Sequence, residues 1–465
     1  MKNLSTPAVG LISLGCAKNL VDGEVMLGSI LNKGMRVTND PQEADVLIVN
    51  TCAFIDAAKE ESIEAVLSAI QERAQGGKPG QKIVMSGCMA QRYSEELKAS
   101  MPEVDAFMGL DQVAQAGEIL EELLQQEPAS PLSWVSRKPR YIPDYDTPRF
   151  RLTPAHSAYV KIAEGCNHPC TFCVIPQMRG RHRSRELTSV VKEARALVAD
   201  GVKELILISQ DTTYYGMDWW EGGAGPRARV GAKPGPSLIQ LIEELDNIEG
   251  EFWVRLLYTH PAHWSEELMR TLGQSRNVAP YIDIPLQHIH PEMLRTMQRE
   301  TSREHIEDVL AGIRHHIPGV GIRTTFIVGF PGETEEHFQA LLEFIETQRF
   351  ERLGVFNYSQ EEGSRASKMN DQVHTATKKA RHRRAMTLQA RLAEQIAQEG
   401  VGTTRRVLVE SPTHGRSEWD APEVDCRVLF PQALSGRQVG QFIDVEITGV
   451  QGYDWEAQPL VPALS

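Results

Sequence analysis

The sequence predicts a multidomain α/β protein. An N-terminal α/β domain with a parallel sheet leads to a central partial (β/α)6 barrel and then to a small antiparallel β-barrel. Three observations predict this. The chain has 465 residues, 41% hydrophobic and 24% charged, enough for roughly three domains of ordinary globular composition. Short apolar runs alternate with helical stretches up to about residue 372. Beyond Gly402 the texture changes to short strands separated by Gly, Pro and polar turns.

The same composition excludes a disordered tail or a collagen-like fibre. A net charge of −13 argues against a generally basic nucleic-acid surface, although a local patch remains open. No stretch approaches the roughly 18 to 20 apolar residues of a membrane span. The run Val9 to Leu14, close behind Met1-Lys2-Asn3, is too short for a signal peptide and reads as a first strand. A cytoplasmic protein is expected. Disulfides are rare there, so grouped cysteines point to metal or redox chemistry.

Residues 1–127 form the first domain. Val9 to Leu14, Val46 to Asn50 and Ile83 to Ser86 read as buried strands, with helices such as Asp22 to Leu31 and Asp56 to Gln71 between them. Each strand runs into a cysteine: Cys16, Cys52 and Cys88. In an open parallel sheet the carboxyl ends of strands lie along one edge, where ligands gather. Three unrelated buried thiols are the plainer alternative. Repetition of the same placement favours one metal site.

Residues 128–154 carry Pro128, Pro131, Pro139, Pro143, Pro148 and Pro154 and read as an extended linker. Residues 155–372 form the barrel. Its strands are Tyr159 to Ala163, Glu204 to Ser209, Trp253 to Tyr258, Tyr281 to Leu286, Ile322 to Val328 and Gly354 to Tyr358. Six strand–helix repeats suit a parallel barrel that does not close.

The first barrel strand is followed by Glu164-Gly165-Cys166-Asn167-His168-Pro169-Cys170-Thr171-Phe172-Cys173, a C-x₃-C-x₂-C spacing. Structural zinc wants four ligands, and His168 would be strained onto the same metal as both neighbouring cysteines. Three thiolates suit a four-iron, four-sulfur cluster with one iron left open. The stretch Gly216 to Pro236 reads as a surface loop. Gln210, Asp211 and Arg323, at or near strand ends, are either ligand contacts or ordinary polar residues. Phe330-Pro331-Gly332-Glu333-Thr334 reads as a turn capping the next helix.

Residues 373–400 form a helical connector, basic through Lys378, Lys379, Arg381, Arg383, Arg384 and Arg391; such a run is usually a solvated face. Residues 401–465 form the β-module. Five arginines oppose nine carboxylates there, a local charge of −4, which suits a protein partner better than RNA. Cys426 reads as a core residue within a strand.

The C-x₃-C-x₂-C run, with Phe172 before its third cysteine, resembles the signature of the radical S-adenosylmethionine enzymes. With two cysteine sets, a barrel and a terminal β-module in this order, the whole chain resembles their methylthiotransferase family. The resemblance implies that Cys166, Cys170 and Cys173 hold a 4Fe-4S cluster whose open iron binds S-adenosyl-L-methionine and cleaves it to a 5′-deoxyadenosyl radical. It implies a second 4Fe-4S cluster, held by Cys16, Cys52 and Cys88, as the site of sulfur insertion. It also implies methyl transfer from a second S-adenosylmethionine, an electron donor, and a terminal module of the kind called TRAM.

Two branches of that family differ in substrate: a tRNA adenosine (MiaB-like), or the β-carbon of an aspartate in the twelfth small-subunit ribosomal protein. The runs Phe54 to Ser62, Lys161 to His168, Ile208 to Thr213 and Asp283-Ile284-Pro285-Leu286-Gln287-His288 resemble the second branch. Ala17, Ala53 and Gly23 depart from its usual Pro, Gly and Ser. The alternatives are the tRNA enzyme and a non-catalytic iron–sulfur ribosome-assembly factor. A ribosomal protein is the expected partner, met through the acidic terminal module; direct RNA binding and a membrane are not expected.

Overall fold

The computed structural model describes residues 6–126 and 130–460; Met1-Lys2-Asn3 and Pro128 lie outside them. The chain divides into two compact units. The first holds Met1–Thr153 with Ala163–Asn167 and Cys173–Ser189, and the second holds Pro154–Ile162, His168–Phe172 and Val190–Ser465.

The first unit begins with β1 (Ala8–Ser13), α1 (Ala17–Asn32), β2 (Arg36–Val37), β3 (Val46–Thr51) and α2 (Asp56–Ala74). It continues with β4 (Lys82–Gly87), α3 (Cys88–Ser100), β5 (Ala106–Met108), α4 (Ala116–Gln125) and β6 (Leu132–Trp134). The strands pair in the order β2-β1-β3-β4-β5-β6, all parallel. Side chains alternate across a strand, so β3 sends Leu47 and Val49 into one core and Val46 and Ile48 into the other. Burial on both faces explains why these strands read as unbroken apolar runs.

Strand β6 lies inside the stretch expected to be linker. It spans three residues, too few for a periodic signal, and prolines surround it. The rest of that stretch is pinned to α1. Glu24, fully buried, accepts from the Arg149 guanidinium at 2.5 Å and from the Leu152 N–H at 2.6 Å, and its carbonyl accepts from the Phe150 N–H at 2.9 Å.

The chain then runs through β7 (Ser157–Lys161), β8 (Ala163–Glu164), α5 (Ile175–Met178), β9 (Arg183–Ser184) and α6 (Leu187–Ala199). Beyond these come β10 (Glu204–Ile208), α7 (Leu238–Asp246), β11 (Trp253–Leu256), α8 (Glu266–Gln274), β12 (Val278–Asp283), α9 (Pro291–Thr296) and α10 (Arg303–His316). The set ends with β13 (Gly321–Val328), α11 (Glu335–Gln348) and β14 (Arg352–Asn357). Strands β7-β10-β11-β12-β13-β14 make an open six-stranded parallel sheet, the partial (β/α)6 barrel expected.

Two departures from expectation and one partial departure follow. The Gly216 to Pro236 stretch is not simply a surface loop: Trp220 and Val230 are buried, and the Trp220 indole donates to the Pro236 carbonyl at 2.8 Å. The basic connector, α12 (Thr375–Glu399), keeps Lys379, Arg383, Arg384 and Arg391 exposed as a solvated face, but part of its charge is paired. Arg381 is buried on Glu333 at 2.6 Å, Arg384 meets Glu335 and Arg391 meets Glu346, each at 2.6 Å. Cys426 precedes its strand and is half-buried rather than core. The expected cap does form: Thr334 accepts from the His337 N–H at 3.2 Å in a capping box.

The terminal module is a closed barrel ordered β15-β16-β17-β19-β18. Its strands are β15 (Thr404–Ser411), β16 (His414–Ser417), β17 (Val428–Leu429), β18 (Phe442–Gln451) and β19 (Asp454–Pro459). All pairs are antiparallel except β17 with β19. Val407, Val409, Val445, Ile447 and Trp455 fill it. Within the second unit it is tied to the parallel sheet by buried charge. Glu204 sits between Arg255 at 2.7 Å and Arg416 at 2.5 Å, and Asp420 holds Arg352 at 2.5 Å.

Candidate functional site

The carboxyl ends of β1, β3 and β4 lie side by side. Ser13 is in register with Asn50, Asn50 with Ser86 and Thr51 with Gly87, so Cys16, Cys52 and Cys88 leave one sheet edge. Two glycines make that approach possible. Gly15 has φ +89°, and a Cβ there would lie 2.8 Å from Cys52 Cβ and 3.2 Å from its Sγ. Gly87 has φ +90°, and its Cβ would meet the Thr51 carbonyl at 2.4 Å. Only glycine takes both the left-handed backbone and the close contact.

Buried amides lock the turns. The Asn19 side-chain amide donates to the Leu14 carbonyl at 2.7 Å and to that of Thr51 at 3.2 Å, while Asn50 donates to the Asn19 carbonyl at 2.7 Å. The Cys52 N–H donates to the Ser62 hydroxyl at 2.9 Å. None of the cysteines is in a disulfide.

The three thiols are electrostatically unequal. Burial pushes Cys88 up to about 12, and Cys52 rises through burial and the neighbouring Cys16. Burial also opposes the Cys16 thiolate, but Lys18 and Arg179 outweigh it and the thiol falls below its ordinary range. Thiolates that burden one another at a sheet edge are a donor set that a cationic iron–sulfur core fits, because the metal replaces the protons.

The second cysteine set lies on the loop after β8. Here β8 and β9 pair antiparallel, Ala163 with Ser184 and Glu164 with Arg183. Gly165, at φ +78°, has the Arg181 carbonyl 2.2 Å from where a Cβ would stand. The Cys166 N–H donates to the Gly180 carbonyl at 3.2 Å, and the Ile175 N–H donates to Cys173 Sγ at 3.5 Å. Donors aimed at sulfur are what cluster-ligating thiolates use.

In the second unit, Arg299 donates to Cys170 Sγ at 3.6 Å. His168 does not face a metal alongside the cysteines: Nδ1 meets Glu300 at 2.8 Å and Nε2 meets Asp211 at 2.7 Å. Burial works against its charge, but these two carboxylates hold the imidazolium and raise it to about 9. His260 stacks on its ring at 3.6 Å, and His263 Nε2 lies 3.1 Å from its Nε2. Thr171 donates to the Met297 carbonyl at 3.0 Å, and Phe172 packs on Met293, Met297, Phe330 and Tyr358.

Asp211 therefore has a structural role in anchoring the loop. Arg323 is set near the start of β13, not at its carboxyl end, and is engaged by Asp283 at 3.1 Å and Asp425 at 3.4 Å. Sequence reasoning passed over Arg179, Arg299 and Glu300. Each is an unremarkable polar residue in sequence, and only tertiary packing brings it to a cysteine or to His168.

Comparison with known proteins places these features in context. Residues 8–109 match a family described as "Uncharacterized protein family UPF0004", residues 160–345 match the radical SAM superfamily, and residues 401–460 match the TRAM domain. The chain is 55% identical over 456 residues to the ribosomal protein uS12 methylthiotransferase RimO of Opitutus terrae, covering 97% of this chain and 96% of that one. It is 51% identical to the RimO of Akkermansia muciniphila, covering 97% and 99%. It is 42% identical to that of Desulforamulus reducens, covering 96% and 98%. Among solved structures, the radical S-adenosylmethionine methyltransferase TsrM of Kitasatospora setae aligns with TM-score 0.53 at 15% identity, over 76% of this chain and 75% of that one. That likeness concerns the fold alone.

Proposed function

The chain belongs to the family of ribosomal protein uS12 methylthiotransferases, and from that premise we propose that it catalyses methylthiolation of an aspartate β-carbon in uS12. The observation that carries the reading is the presence of two thiol sets in one chain: three strand-end cysteines converging on one edge and a C-x₃-C-x₂-C loop. One set suits radical generation and the other suits sulfur insertion.

Cys166, Cys170 and Cys173 would hold one 4Fe-4S cluster and Cys16, Cys52 and Cys88 the other. When bound, these clusters and S-adenosyl-L-methionine supply the hydrogen-abstracting radical, the inserted sulfur and the methyl group. The chain's own residues do the rest. Arg299 and the Ile175 N–H donate toward Cys170 and Cys173 sulfur, which tunes a thiolate ligand. His168, held charged by Asp211 and Glu300, fixes the middle of the loop. Lys18 and Arg179 favour the Cys16 thiolate.

Residues 1–127 would carry the sulfur-inserting site, 155–372 the radical-generating core and 401–465 the TRAM module, joined through 128–154 and 373–400. The acidic surplus of the terminal module suits contact with a basic ribosomal protein. An electron donor is required. No helix among the described residues is long and apolar enough to cross a membrane. Anaerobic reconstitution tests the reading. About eight irons per chain, formation of 5′-deoxyadenosine and a methylthio group on uS12 are expected; one bound zinc and no cleavage would overturn it.

A further inference from the structure

Arg179 is a guanidinium that is 2% exposed, six residues beyond Cys173, and it is paired with two buried carboxylates. Its Nη1 donates to Glu164 Oε1 at 2.8 Å, and its Nη2 donates to Asp22 Oδ2 at 3.0 Å. Glu164 stands two residues before Cys166, so this bond closes the base of the second cysteine loop. Asp22 lies on α1, the helix that Cys16 opens as its N-cap. Arg179 follows α5, whose Ile175 and Met178 pack in the same apolar cluster as Cys88. One side chain thus touches the frame of both cysteine sets, and all these residues belong to the first unit.

We propose that Arg179 is a positioning residue, its fork fixing the base of the second cysteine loop at Glu164 to Asp22 on the helix that Cys16 caps. This rests on the function proposed above. The geometry has two separable consequences. A planar fork spans two carboxylates at once, which an ammonium does not reproduce. A fixed positive charge beside a cluster held by thiolates favours its reduced form, because net charge sets the potential.

The test uses full-length chain. In a Cys166→Ser, Cys170→Ser, Cys173→Ser background only the first cluster loads, and its potential is read by a redox titration followed by electron paramagnetic resonance. Arg179→Met is expected to lower that potential so that the reduced-to-oxidised ratio at fixed potential falls about tenfold, or about 59 mV for one electron. Arg179→Lys is expected to keep it. With all six cysteines present, both variants are expected to lower methylthio product per 5′-deoxyadenosine about tenfold, because neither bridges Asp22 and Glu164.

An unchanged potential and an unchanged product ratio in Arg179→Met would overturn the proposal. If that variant does not fold, Asp22→Asn decides instead. It leaves Arg179 paired with Glu164, and it should raise the potential and lower the product ratio; no change in either overturns the proposal. Wild-type protein that makes no methylthio product would sink the proposed function, whereas the potential of the first cluster would still decide the role of Arg179.

Discussion

Replacing Glu204 by Gln tests the charge cluster that seats the terminal barrel. Glu204 is fully buried and bonded to Arg255 at 2.7 Å and Arg416 at 2.5 Å. Burial would raise its carboxyl, but the two guanidinium groups prevail and hold it at about 2 against an ordinary 4.5. At about 1.4 kcal/mol per pH unit, that gap corresponds to about 3 kcal/mol. Because the folded value is depressed, this stability is present above about pH 4.5 and is lost as pH falls toward about 2. The glutamine variant leaves two buried guanidinium groups without their shared carboxylate, a loss of about 3–5 kcal/mol. The lower end applies here, since Arg416 keeps Glu410 at 2.7 Å and Arg255 keeps the Glu418 carbonyl at 2.9 Å. Urea unfolding followed by tryptophan fluorescence measures it. The wild type should exceed Glu204→Gln by about 3 kcal/mol at pH 7, with the difference shrinking steadily below pH 4.5. A difference under about 1 kcal/mol at pH 7, the scale of an exposed pair, or one that ignores pH, would refute the reasoning.

Other predictions concern the metal sites and the barrel core. Serine at Cys16, Cys52 and Cys88 should remove about half of the iron while 5′-deoxyadenosine still forms; serine at Cys166, Cys170 and Cys173 should abolish that cleavage, both read by iron analysis and chromatography. Gly87→Ala places a Cβ 2.4 Å from the Thr51 carbonyl, so iron should be lost from the first set alone, visible as a change confined to its resonance signal. His168→Asn removes the group that bridges Asp211 and Glu300, and reconstituted protein should lose iron from the second set faster on exposure to a chelator. Trp455→Ala empties the core of the terminal barrel, where its indole also donates to the Ala397 carbonyl at 3.0 Å; a cost of about 3–5 kcal/mol should appear as early proteolysis beyond α12.

Strands such as β3, β4 and β10 were legible because each is buried almost throughout and reads as an apolar run. Strands β6, β16 and β19 were not, since Leu132–Trp134, His414–Ser417 and Asp454–Pro459 carry few apolar residues and owe their pairing to neighbours. Cys16, Cys52 and Cys88 were legible as a set through their repeated strand-end placement. The residues that act on the cysteines were not. Arg179 meets Asp22 across 157 positions and Arg299 meets Cys170 across 129, and no local pattern encodes contacts at that range. The exposed cations of α12 were legible as a solvated face, but the burial of Arg381 was not, because its partner Glu333 lies in the turn before the separate helix α11.

The central claim concerns the substrate, and mass spectrometry decides it most directly. Ribosomal protein uS12 and bulk tRNA are compared between cells with and without this gene. The account predicts that the methylthio group disappears from the aspartate of uS12 while tRNA is unchanged, and returns with the wild-type gene but not with Cys16→Ser. Loss of a methylthio group from tRNA, with uS12 unaltered, would contradict it.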